Sequence, residues 1–164
     1  MIYDEFQSSD IEILYADVHF VHPHHLTKVV RNYSAKHFKL WMFAFGFTPP
    51  HPTFYTYRKN YLNLGLFHTD YKYAADYELM MRYMRTHKLN SKYIHDTWVI
   101  MRTGGASNST PYVKLGLNRE IVKACKSNGV YTNIYILFLK YSVKIFEYII
   151  PRFSSSPIRT QPAE

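Results

Sequence analysis

The spacing of apolar residues changes several times along the chain, and each change predicts a different element. Residues 11–21 are almost continuously apolar or aromatic, which predicts a largely buried β-strand. After a turn at Pro23, residues 27–31 can return beside that strand as a hairpin. Residues 92–101 alternate well enough for another strand, so we expect both strands in one mixed sheet.

Helical spacing marks the segment 76–88. Four apolar residues share one face of this predicted helix, namely Leu79, Met80, Tyr83 and Met84. Glu78 and Arg82 lie on the other face at i, i+4 spacing, where we expect an exposed ion pair.

The other elements are shorter and are bounded by glycine or proline. We predict a short helix within 34–47, a strand over 53–57, a helix over 58–64 that ends in a left-handed Gly65, and a helix over 118–127 that ends at Asn128-Gly129.

The C-terminal part of the chain changes character. Residues 131–150 form a strongly apolar helical pattern with Lys140 and Lys144 on one face, which is typical of an amphipathic helix rather than a membrane span. This helix either covers the sheet or lies on an anionic membrane surface, and the wide apolar arc suits both. The expected organisation is a domain over 1–130, the helix over 131–151 and a disordered polar tail over 152–164.

Charge and cysteine content narrow the function classes. The 164 residues carry a formal net charge of +8 and one cysteine, Cys125. A net positive charge favours partners that carry phosphate or anionic lipid. The basic residues are not interleaved with aromatic residues as they are in nucleic-acid-binding modules, so no nucleic acid is expected as a partner. One cysteine allows no internal disulfide, and no signal-peptide pattern begins the sequence, so a cytoplasmic location is expected.

Four blocks occur in a characteristic order: PPHPTF at 49–54, NLGLF at 63–67, AADYEL at 74–79 and MRTGG at 101–105. Their order and spacing resemble the second half of the catalytic domain of family 2 glycosyltransferases, the class that builds bacterial surface polysaccharides. The resemblance covers roughly 10–128. It implies an α/β fold, a partial GT-A (Rossmann-like) glycosyltransferase domain with a mixed sheet.

The resemblance implies inverting transfer of a sugar from a nucleotide-sugar donor to a glycan or lipid-linked acceptor. Family members hold Mg²⁺ or Mn²⁺ with an Asp-x-Asp motif in an upstream donor-binding half, so these ligands are expected outside this chain, and the chain alone is expected to be inactive. The alternative is a non-catalytic basic module at the inner face of the cell membrane, or an inactive remnant.

Asp76 matches the position of the family's catalytic base, at the start of a helix whose N-terminus favours an ionised carboxylate. The alternative is that Asp76 only caps this helix. By the same resemblance, His51 and Thr53 are candidate acceptor contacts, although a rigid turn around Pro50 and Pro52 would also explain them.

Arg102, Gly104 and Gly105 are candidate contacts for the leaving diphosphate, because an Arg grips phosphate and glycines let backbone amides approach it. An ordinary hairpin or linker is the alternative. Metal binding is not expected. His19, His22, His24 and His25 form a local cluster without a recognisable ligand spacing, and Asp17-Val18-His19 has His where Asp-x-Asp needs Asp.

Overall fold

A computed structural model describes residues 2–7, 10–103 and 111–139, and these form an α/β fold around a four-stranded mixed sheet. Its strands are β1 (Ile13–His22), β2 (His25–Tyr33), β3 (Tyr55–Thr56) and β4 (Ser91–Arg102). Strand β4 runs parallel along one side of β1, while β2 and β3 are antiparallel and share the other side. The predicted hairpin and the predicted mixed sheet are both confirmed.

The central position of β1 explains its composition. Its first six residues are all buried, because strands flank it on both sides and helices cover it. Strand β2 is exposed over nearly its whole length and carries polar residues such as Lys28 and Arg31. The two strands thus bury very different fractions of their side chains although they pair with each other.

Helices and single helical turns pack around this sheet. The α-helices are α1 (Ile2–Gln7), α2 (Arg58–Leu64), α3 (Ala75–Met81) and α4 (Pro111–Ser127). Two 3₁₀ turns span Leu40–Phe45 and His51–Thr53, and α3 continues into a π-helical turn, Arg82–Thr86. The predicted face of 76–88 is confirmed, since Leu79, Met80, Tyr83 and Met84 are each no more than 2% exposed.

The prediction of an exposed pair between Glu78 and Arg82 is wrong. The pair exists, with Arg82 Nε 3.0 Å from Glu78 Oε1, but Glu78 is only 2% exposed and Arg82 9%. The reason is the loop after α2, whose chain crosses this face of α3. Arg82 donates hydrogen bonds to the carbonyls of Leu64, Gly65 and Leu66, so its guanidinium is enclosed by backbone.

Other element boundaries differ from the predicted ones. The strand expected over 53–57 is reduced to β3, because Thr53 belongs to the preceding 3₁₀ turn. Gly65 has the expected positive φ of 91°, but its ψ of 151° is extended rather than left-handed helical. Helix α4 starts at Pro111 rather than near 118, since proline is well tolerated at the first helical position, and it ends before Gly129 (φ 67°) as predicted.

Part of the predicted C-terminal helix falls within the described residues. Residues 134–139 are helical, and Leu137 is fully buried. Lys140, Lys144 and the predicted tail 152–164 lie outside the described residues. Within the described ranges, no helix has the length and apolar content needed to cross a bilayer.

Candidate functional site

Asp76 lies in the first turn of α3 and is half-buried. Its Oδ1 accepts a hydrogen bond from the Tyr77 N–H at 2.8 Å, and within the described chain no other hydrogen bond reaches this carboxylate. The residue in the N-cap position of α3 is Ala74, so the capping role is limited to one N–H of the first turn. Oδ2 therefore remains available to accept a proton.

The hydroxyl of Tyr33, on β2, is influenced electrostatically by both Arg31 and Asp76. The Tyr33 hydroxyl donates to the Thr48 carbonyl at 2.7 Å. Burial raises the pKa of Tyr33, the nearby negative charge of Asp76 raises it further, and the Thr48 hydrogen bond and the positive charge of Arg31 lower it. Arg31 and Asp76 therefore both lie close enough to Tyr33 to act on its hydroxyl. This grouping could not be predicted from the sequence, because β2 has the pattern of an ordinary hairpin strand.

Arg31 is held in place by aromatic rings. Its guanidinium carbon lies 5.3 Å from the Tyr33 ring centroid and 5.5 Å from that of Phe20, which is its partner across the β1–β2 ladder. Such cation–π contacts orient a guanidinium without neutralising it. These contacts therefore orient the guanidinium of Arg31 without neutralising its charge.

The two proposed acceptor residues have different environments. Thr53 is fully buried, and its hydroxyl donates to the Ala16 carbonyl at 2.7 Å and accepts from the Ala16 N–H at 3.2 Å. The Thr53 side chain thus makes hydrogen bonds to the backbone of β1 just before β3 begins. This role is structural, and the buried hydroxyl is not accessible to an acceptor. His51 is exposed, and its ring lies 5.9 Å from that of Phe67 in an edge-to-face contact.

The 3₁₀ turn that carries His51 packs against α3. The fold therefore places the turn that contains both predicted acceptor residues, His51 and Thr53, against the helix that carries the predicted base. Arg102 is exposed at the end of β4, next to Thr103, whose N–H donates to the Val21 carbonyl at 3.0 Å. Gly104 and Gly105 lie outside the described residues, so the predicted diphosphate loop is described only at its beginning.

Glu120 fixes the chain that enters α3. Its carboxylate accepts three backbone hydrogen bonds, from the N–H groups of Lys72, Tyr73 and Ala74, at 2.9, 2.7 and 2.9 Å. These N–H groups precede the first turn of α3, so a residue of α4 sets the entry of the helix that carries Asp76. A lone Glu in a predicted helix gives no sequence signal for such a long-range contact.

The described residues do not fit a Mg²⁺ or Mn²⁺ site. Asp17 is buried, and its Oδ1 accepts hydrogen bonds from the Ala35 N–H and the Tyr93 hydroxyl, each at 2.9 Å. His19 Nε2 lies 3.1 Å from Thr97 Oγ1. Among the residues that the structure describes, no three His, Cys, Asp or Glu side chains are placed to hold one ion. The Asp17-Val18-His19 sequence is therefore structural.

The thiol of Cys125 does not offer nucleophilic chemistry. It is buried, with Sγ 3.3 Å from the Tyr77 hydroxyl, and burial raises the pKa of the thiol. A nucleophilic cysteine needs the opposite shift and access to solvent. Cys125 is therefore part of the packing between α3 and α4.

No protein-family model, curated protein or solved structure matches this chain. The likeness to family 2 glycosyltransferases consequently depends on the four sequence blocks.

Proposed function

We propose that this chain is the acceptor-side part of an inverting GT-A-type glycosyltransferase, with Asp76 as the catalytic base. In this reaction an Asp76 oxygen takes the proton of the acceptor hydroxyl as the hydroxyl oxygen bonds to the anomeric carbon of the donor sugar. The bond from that carbon to the nucleoside diphosphate breaks, and the diphosphate leaves with the bonding electrons.

The state of the Asp76 carboxylate is the observation that carries the proposal. Two other carboxylates on or against α3 are fully occupied, Glu78 by Arg82 and Glu120 by three backbone N–H groups. Asp76 accepts one hydrogen bond, is half-buried and lies at a helix N-terminus. An ionised carboxylate with an unused oxygen is what a general base requires.

The neighbouring residues receive roles that follow from their positions. Arg31 and Asp76 both act electrostatically on Tyr33, and no carboxylate of the described chain pairs with Arg31, so Arg31 is assigned to the developing charge of the leaving diphosphate. Arg102 with Gly104 and Gly105 remains a proposed second contact for that group. His51 remains a proposed acceptor contact, whereas buried Thr53 is assigned a structural role.

The test is transfer activity of the chain expressed with the donor-binding segment encoded upstream in its gene. We expect release of nucleoside diphosphate from a nucleotide sugar, with Mg²⁺ or Mn²⁺ bound by that segment, and negligible release from the chain alone. Asp76→Asn should reduce turnover about 10²- to 10⁴-fold. Asp70→Asn is the matched control, because Asp70 is exposed and pairs with Lys123.

The proposal fails if Asp76→Asn keeps near-normal turnover, or if the gene encodes no donor-binding segment. The second result would favour the inactive remnant. Equal loss in Asp76→Asn and Asp70→Asn would point to a general effect of charge rather than to a base.

A second candidate function is attachment to the inner (cytoplasmic) face of the cell membrane through residues 131–150. Tyr135 in the helical residues 134–139 and Tyr131, which precedes them, are about four-fifths exposed, and Phe138 is about half exposed, although Leu137 is buried. Exposed aromatic residues on an amphipathic helix suit the interfacial region of a bilayer. Liposome flotation tests this, since attachment predicts binding that rises with anionic lipid and is lost on deletion of 131–164.

A further inference from the structure

A second cationic site lies away from Asp76, in a cavity between α4 and the segment before α3. The cavity has a volume of about 170 Å³ and is lined by Lys72, Tyr73, Tyr112, Leu115, Gly116 and Arg119. This volume is small compared with pockets for drug-sized ligands, which are about 300 to 1,000 Å³. It suits one small group.

The charge of this cavity is positive. Lys72 and Arg119 are both exposed, and no carboxylate lines the cavity. The two nearest acidic side chains on these elements are used elsewhere, because Glu120 binds the backbone of 72–74 and Asp70 pairs with Lys123. In the described chain, Lys72 and Arg119 have no ion-pair partner.

The walls of the cavity are fixed before any ligand arrives. A Cβ atom on Gly116 would lie 3.0 Å from Tyr73 Cε2, so α4 approaches Tyr73 this closely because residue 116 is glycine. One turn further along α4, Glu120 holds the Tyr73 N–H at 2.7 Å. Two contacts on the same helix thus hold the segment that carries Lys72, and this pre-organisation lowers the entropic cost of binding.

We propose that this cavity binds a phosphomonoester group, with Arg119 and Lys72 as its two cationic contacts. Two unpaired cations match the charge of a phosphate dianion near neutral pH, and an arginine fork matches its oxygens. The site is independent of the proposed transfer reaction, since it contains neither Asp76 nor any residue assigned to the acceptor.

Inorganic phosphate, titrated against the full chain and followed by ¹H–¹⁵N spectra, is the first probe. We expect saturable shifts of the Tyr73 and Gly116 amides. The variant Lys72→Gln/Arg119→Gln should weaken binding at least about tenfold, which corresponds to about 1.4 kcal/mol. The matched control Arg85→Gln/Lys126→Gln removes two exposed charges elsewhere and should bind like the original protein.

Vesicles separate a lipid headgroup from a soluble phosphate. Flotation compares vesicles of phosphatidic acid in phosphatidylcholine with equally charged vesicles of phosphatidylglycerol in phosphatidylcholine. If the bound phosphate belongs to a lipid, the protein should bind the phosphatidic acid vesicles more strongly, because only that lipid carries a phosphomonoester. Binding of phosphate without any preference for phosphatidic acid assigns a soluble source.

The proposal is overturned if phosphate gives no saturable shifts, or if the cavity variant and the control variant lose binding equally. Both variants change exposed residues, and circular dichroism checks that they fold.

Discussion

Arg82→Met should destabilise the protein far more than the loss of a surface ion pair would. Glu78 accepts hydrogen bonds from Arg82 Nε at 3.0 Å and Nη2 at 3.1 Å, and from Asn128 Nδ2 at 3.2 Å, while it is only 2% exposed. Removing the guanidinium leaves this carboxylate buried with the Asn128 amide and with His68, whose Nε2 lies 3.9 Å from Oε2. Breaking one side of a buried pair costs about 3 to 5 kcal/mol, compared with about 0.3 to 0.5 kcal/mol for an exposed i, i+4 pair.

We expect a loss of about 3 kcal/mol, at the lower end of that range, because the Arg82 side chain retains 11% exposure. The Leu66 carbonyl also loses its donor, which lies at 2.7 Å, whereas the Gly65 carbonyl loses Arg82 at 3.0 Å but keeps the Tyr83 hydroxyl at 2.7 Å. Glu78→Gln in the Arg82→Met background should recover part of the loss, with an interaction energy of about 1 to 3 kcal/mol. Such a loss is a large part of a typical stability of about 5 to 15 kcal/mol.

Urea unfolding at pH 7, followed by circular dichroism, measures these differences. With a slope of about 1 to 3 kcal/mol per molar urea, the midpoint for Arg82→Met should fall by at least about 1 M. Arg85→Met is the control, because Arg85 is exposed one turn further on and should change the stability by less than about 0.5 kcal/mol. A loss below about 1 kcal/mol for Arg82→Met would refute the buried-pair reasoning.

Three further outcomes are expected. Burial raises the pKa of Tyr77, so the folded residue stays protonated at a pH near 10 at which the unfolded residue ionises. The free energy of unfolding should therefore fall as the pH rises above 10. In alkaline urea titrations, Tyr77→Phe should make that decline shallower by up to about 1.4 kcal/mol per pH unit. Thr53→Val should cost about 1 to 3 kcal/mol in urea unfolding, because the backbone of Ala16 loses both contacts, whereas Thr53→Ser should cost less. Glu120→Gln should speed hydrogen exchange of the amides of 72–74, and unchanged protection there would contradict the role given to Glu120.

Local patterns in the sequence determined most of the elements. The β-branched and aromatic residues of 11–21 predicted β1, and the helical spacing of Leu79, Met80, Tyr83 and Met84 predicted the buried face of α3. These predictions succeed because side-chain periodicity reflects which face of an element is buried, whatever covers it. The base candidate, Asp76, also came from the sequence, through its place in the AADYEL block.

What surrounds those elements depends on how distant segments of the chain pack together. Arg82 reads as a surface residue in the sequence, but the loop that follows α2 encloses it. Asp76 acts electrostatically on Tyr33, and Glu120 accepts hydrogen bonds from the N–H groups of 72–74, although each pair is more than forty positions apart in the sequence. Periodicity reports burial within one element, whereas the partner that each polar group finds depends on how distant segments are folded together.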